Sequence, residues 1–149
     1  MIRHFSFAAE NPQKVAEALA EILGGRAVQF PAHAGGFMAL SGNPHGTSIE
    51  VYPMKVELAP NASGLVEFRE NASPSRYTPT HAAISVPAPQ DKILAIAARE
   101  GWTAQRTQRG PFDFIECWVE NRVMLELFPP ELDINWARLG PPPAMGPRS

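Results

Sequence analysis

Four side chains in this sequence could do chemistry together: His4, Glu50, His81 and Glu126. They repeat as His…Glu…His…Glu, with 77 positions from His4 to His81 and 76 from Glu50 to Glu126. Each glutamate sits in a short apolar run, Ile49-Glu50-Val51-Tyr52-Pro53 and Leu125-Glu126-Leu127-Phe128-Pro129. A carboxylate buried among such neighbours is costly unless it is paired or bound to a metal. Two imidazoles and two carboxylates suit one divalent metal (nickel, zinc, manganese or iron), and octahedral coordination would leave two positions open. The pattern therefore reads as a metal site built by duplication, with His4, Glu50, His81 and Glu126 as ligands.

Positioning these four requires a repeated unit. Ile2–Ala8 alternates as a half-buried strand does. Asn11-Pro12 can cap and start a helix whose apolar positions are Val15, Ala18, Leu19, Ile22 and Leu23, stopped by Gly24-Gly25. Strands follow near Ala27–Phe30, Gly36–Leu40 and Thr47–Tyr52. The second copy reads as a strand at Thr80–Val86, a helix at Pro87–Glu100 and strands at Trp102–Gln108, Phe112–Val119 and Val123–Phe128. The expected organisation is a first βαβββ module over 1–53, a connector over 54–78, a second module over 79–129 and a Pro-rich tail over 130–149, with a short helix near Glu131–Leu139. A single unit rarely buries its apolar face alone, and the second copy supplies the cover.

Strand alternation puts Ser48, Glu50 and Tyr52 on one face and Ile49 and Val51 on the other; Met124, Glu126 and Phe128 oppose Leu125 and Leu127 in the same way. The apolar pairs are expected under the helices, leaving both glutamates on the open face. Arg109 and Arg122 are candidates to bind a substrate carboxylate or phosphate, as is Arg106. Tyr52, Trp118 and Phe128 are candidate substrate-lining aromatics. His33 and His45 lie in Gly/Pro-rich loops and are not taken as ligands.

Composition bounds the rest. With 44% hydrophobic residues and a formal charge of −2, the chain can build a core and offers no broad basic surface for nucleic acid. No apolar run approaches the roughly 20 residues of a membrane span. Cys117 is the only cysteine, so no intrachain disulfide exists, and a reducing, cytoplasmic setting is expected. Asn61-Ala62-Ser63 and Asn71-Ala72-Ser73 match the glycosylation sequon and are read as loop chemistry.

On His4-Phe5-Ser6-Phe7, Leu23-Gly24-Gly25, Ser48-Ile49-Glu50-Val51, Thr80-His81-Ala82-Ala83 and Leu125-Glu126-Leu127-Phe128, the chain resembles the vicinal oxygen chelate superfamily, which includes glyoxalases, bleomycin-resistance proteins and extradiol dioxygenases. The resemblance implies an α+β fold: two repeated βαβββ modules forming an eight-stranded curved-sheet cup with the four ligands at its base. It further implies a metal-dependent lyase or isomerase of the glyoxalase I type, acting on a small α-hydroxycarbonyl-type substrate, with Glu126 and then Glu50 as the proton-moving residue. The alternatives it carries are a non-catalytic small-molecule-binding protein of the resistance type, or an iron-dependent ring-cleaving dioxygenase. A homodimer is expected, with the cup formed within one chain or across two.

Overall fold

The computed structural model describes residues 2–133; the tail expected to be Pro-rich, and most of the short helix expected near Glu131, lie outside them. The first unit runs β1 (His4–Ala9), α1 (Pro12–Ile22), β2 (Arg26–Gln29), β3 (Phe37–Leu40) and β4 (Ser48–Pro53). A hairpin follows, β5 (Val56–Pro60) and β6 (Val66–Glu70). The second unit is β7 (Ala82–Ser85), α2 (Gln90–Glu100), β8 (Thr103–Arg109), β9 (Phe112–Val119) and β10 (Val123–Phe128). The two four-stranded sheets have equivalent orders, β1-β4-β3-β2 and β7-β10-β9-β8, each with one parallel pair at its first strand. This is the βαβββ repeat expected from the sequence.

Local chemistry explains the elements. The Asn11 side chain accepts from the Lys14 amide at 3.1 Å, and Pro12 opens α1 at the position where its missing N–H costs nothing. Gly25 ends the turn after α1 where a side chain would collide with the Leu40 carbonyl, so only glycine fits. Helix α2 starts three residues later than Pro87 because Ala88 precedes Pro89 and is pushed out of the helical region. Strand β7 is shorter than Thr80–Val86: the Thr80 amide turns onto the Thr78 hydroxyl at 3.1 Å, and a local turn replaces strand pairing there. His81 consequently sits one residue ahead of the strand instead of opening it.

The connector, whose length beyond an ordinary loop implies that it is partly structured or functional, carries the β5–β6 hairpin. Asn61 makes the hairpin turn, its side-chain oxygen accepting from Ser63 at 2.8 Å and Leu65 at 3.1 Å. Asn71 accepts from Ser73 at 3.0 Å in the same manner. Both sequon asparagines thus do turn chemistry. Alternation is blurred in these strands because Leu58, Leu65 and Val66 stay exposed and only Phe68 finds aromatic partners.

One continuous core joins both units. Leu19, Ile22, Ile49 and Val51 meet Ile93, Ile96, Ile115, Cys117, Leu125 and Leu127, all buried. At the rim Arg99 of α2 grips Glu21 of α1 at 2.8 and 3.1 Å, and Lys14 of α1 reaches Glu100 of α2 at 3.2 Å. Arg99 holds the Glu21 carboxyl below the usual carboxylate range. Glu120 accepts the amides of Glu10 at 2.6 Å and Asn11 at 2.9 Å, an anion at the start of α1 where the helix dipole favours one.

Cys117 behaves as a small buried hydrophobe: burial pushes its thiol up to about 12. A thiol reagent at pH 8 is therefore expected to leave native protein untouched and to label one cysteine per chain after denaturation. Labelling of folded protein would show that the core opens around β9.

Candidate functional site

Parallel registers place the two glutamates in equivalent positions, while His4 opens β1 and His81 lies one residue ahead of β7. Glu50 on β4 lies beside Ser6, two residues after His4; Glu126 on β10 lies beside Ala83, two residues after His81. Ile49 and Val51, and Leu125 and Leu127, point into the helix-packed core. Alternation therefore puts both glutamates on the faces opposite that core, where Glu50 is half-buried and Glu126 buried.

In the first unit His4 and Glu50 come together, with His4 Nε2 3.7 Å from Glu50 Oε1. The Tyr52 hydroxyl donates to Glu50 Oε2 at 2.9 Å, so one face carries imidazole, carboxylate and phenol. Burial, and next the Glu50 carboxylate, raise the Tyr52 phenol well above its ordinary value, keeping it a donor. Tyr52 also packs edge-on to Phe30 and His33 and contacts Phe68 of the hairpin, centroids 5.5, 5.9 and 5.5 Å away. The connector thus closes over part of this face.

The second unit is arranged differently. Glu126 is buried, and its Oε1 accepts from Arg109 Nη1 at 2.5 Å. Arg109 Nη2 lies 3.5 Å from Glu116, and the guanidinium stands 5.3 Å from the centre of the Phe114 ring. Glu116 is directly opposite Glu126 across β9 and β10 and also accepts from the Trp118 indole at 3.0 Å. His81 is exposed, with Nδ1 3.0 Å from the Pro79 carbonyl. Among the described residues no group of three or more His, Cys, Asp or Glu side chains is placed to hold a metal ion. The structure brings His4 to Glu50, and gives Glu126 to Arg109.

The remaining candidates divide. Arg106 pairs with Asp113 at 3.2 Å. Arg122 is 9% exposed and donates to the Ala8 and Ser75 carbonyls, each at 3.0 Å, tying the β9–β10 turn to β1 and the connector. Replacing Arg122 with Met is expected to destabilise the fold by about 2 kcal/mol through the two lost charge-assisted bonds, read by denaturant unfolding. An unchanged midpoint would free Arg122 for ligand binding. Phe128 packs with Phe112 and Phe114 in a small cluster of its own. Trp118 borders an open slot of about 470 Å³ lined by Arg76, Tyr77, Thr103 and Asn121, with Tyr77 edge-on to it at 6.5 Å. Tyr77 and Glu116 were not anticipated. Glu116 was legible in the Phe-Asp-Phe-Ile-Glu-Cys-Trp alternation, which puts it on the face of Phe114 and Trp118; Tyr77 lies in an irregular segment with no such signal.

No model of a protein family matches the chain, and no curated protein matches it. Solved structures do. Hypothetical protein SA1046 from S. aureus superimposes with a TM-score of 0.56 at 10% identity, covering 85% of this chain and 91% of that one. A glyoxylase/bleomycin resistance/dioxygenase domain from Frankia sp. EAN1pec gives 0.53 at 14% identity, over 85% and 94%. The integron cassette protein VCH_CASS1 of V. cholerae gives 0.51 at 14% identity, over 85% and 92%. At these identities the likeness shows the fold alone, two βαβββ units as in the glyoxylase/bleomycin resistance/dioxygenase domain.

Proposed function

We propose that this chain is a glyoxalase-like metalloprotein, a divalent-metal-dependent lyase or isomerase of the glyoxalase I type acting on a small α-hydroxycarbonyl-type substrate. The observation that carries this reading is the equivalence of Glu50 and Glu126 in the two parallel registers, beside Ser6 and Ala83, each of which follows a histidine of the sequence repeat by two residues. The name of the Frankia neighbour agrees with the class. His4 and Glu50 form a two-donor half, while His81 and Glu126 stand apart, the latter held by Arg109. Among the described residues one chain therefore offers one formed two-donor pair; a homodimer in which a second copy completes each cup is part of the same proposal.

A nickel, zinc, manganese or iron ion held by His4, Glu50, His81 and Glu126 would supply Lewis acidity toward two adjacent substrate oxygens. Glu126 is first choice, and Glu50 second, to move a proton between adjacent carbons. Tyr52 orients Glu50 through its hydroxyl, and the aromatic slot beside Trp118 could take an apolar part of the substrate. The single free cysteine suits a cytoplasmic protein. No helix among the described residues is long and apolar enough to cross a membrane.

A second reading, a small-molecule-binding protein of the resistance type without turnover, is favoured by the Arg109–Glu126 pair, which neutralises that carboxylate without a metal. Elemental analysis of protein purified without added metal, together with light scattering, separates the two. The enzyme reading expects about one metal per chain, as one four-ligand site per chain in a dimer requires. No stoichiometric metal, and no uptake of nickel, zinc, manganese or iron, would leave the binding protein. Turnover of methylglyoxal with glutathione would narrow the enzyme to glyoxalase I; iron with ring cleavage would make it a dioxygenase.

A further inference from the structure

The two units differ at one pair of equivalent positions. Beside Glu50 the antiparallel neighbour on β3 is Met38; beside Glu126 the antiparallel neighbour on β9 is Glu116. Two carboxylates directly opposite on adjacent strands repel each other, and both are largely shielded from water, with side chains 17% and 11% exposed. The chain answers with Arg109. It stands at the end of β8, two strands from β10, and its guanidinium reaches over β9 to touch both carboxylates while resting on the Phe114 ring. Charge-assisted bonds of this kind are among the stronger polar contacts, and the aromatic ring beneath adds to the hold.

We propose that Arg109 is an internal counter-cation that occupies the Glu116/Glu126 pair in competition with a divalent metal, so that it sets how readily Glu126 serves as a ligand. The inference rests on the metal reading above. Glu126 cannot give the same oxygen to Arg109 and to a metal at full strength. A dication next to the guanidinium also meets a like charge, which water weakens, since Arg109 is 39% exposed, but does not cancel beside two shielded carboxylates. Metal entry therefore requires Arg109 to swing off Glu126, and Glu116 is the carboxylate that can keep it. The arginine then stands at the edge of the site with donors to spare, where an anionic substrate group would meet it.

The test is a titration of metal-free wild type, Arg109→Gln and Arg109→Lys with manganese(II), followed by calorimetry and by the electron paramagnetic resonance of free manganese, with circular dichroism as the check on folding. Arg109→Gln is expected to bind about tenfold tighter than wild type, the scale on which outer partners of ligands tune metal sites. Arg109→Lys, which keeps the charge, is expected to stay near wild type. Binding by Arg109→Gln but not by wild type would uphold the counter-cation and make the natural chain metal-free. Wild-type binding with no gain in folded Arg109→Gln, or an equal gain in Arg109→Lys, overturns the proposal while leaving the metal reading intact. Absence of binding in all three overturns both.

Discussion

On the proposed enzyme reading, replacing Glu126 with Gln is expected to cut turnover by about 100- to 10,000-fold, the range for losing a positioned proton-transfer group, and to lower metal affinity as well, while leaving the fold in place. Gln keeps the volume of Glu and an oxygen that can still accept from Arg109, so the side chain continues to fill its space beside Ala83 and Glu116. The lost charge pair involves an arginine 39% exposed, and pairs screened to that degree contribute at most about 1 kcal/mol. Metal content, turnover and thermal midpoint should therefore separate, the first two falling and the third moving little. A collapsed fold with metal content unchanged would show that Glu126 is structural and that its place in the ligand set is mistaken.

The opposite separation is expected at the neighbouring position. Leu125 to Ala should destabilise the protein by about 2–5 kcal/mol, the range for emptying a buried leucine site, out of the roughly 5–15 kcal/mol that holds an ordinary domain together. Leu125 is 0% exposed and lies between Cys117 on β9 and Ala82 on β7, facing the core that α1 and α2 share. Both flanking strands hold it, so the void cannot close by local collapse. Leu58 to Ala on the hairpin is the control: that side chain is 49% exposed, and surface substitutions of this kind stay within about 0.5 kcal/mol. Denaturant midpoints of the two variants check the claim. Equal shifts would mean that the hairpin belongs to the cooperative core.

The contrast between Leu125 and Glu126 shows how much could be read in advance. Alternation alone assigns Leu125 and Leu127 to the core and Glu126 to the opposite, open face; the structure puts both leucines in the core and Glu126 on the other face, where it is buried beside Arg109. The helix ends of the first unit were legible because Asn11 caps with its own side chain and Pro12 and Gly24 act through their own backbones, all within one turn of the helix end. The hairpin was hidden because its strands bury little, and strand pairing without an apolar face leaves no periodic trace. Prolines 87 and 89 shortened α2 by a rule that was available and outweighed by apolar spacing.

By itself, then, the sequence determined the repeated unit, the helix caps and stops, the buried face of each strand and the placing of one His and one Glu in each copy. These follow from interactions within a turn of helix or between alternate residues of a strand, which neighbouring residues encode. Tertiary structure decided which charges meet. Arg109 and Glu126 are 17 positions apart and touch because β9 lies between β8 and β10, with Glu116 in register opposite Glu126. Lateral strand order sets those distances, and Coulomb energy in a shielded place depends on distance and not on position along the chain. For that reason the four residues that repeat in the sequence do not share one environment in the fold: one pair is His with Glu, and the other has an arginine on its carboxylate.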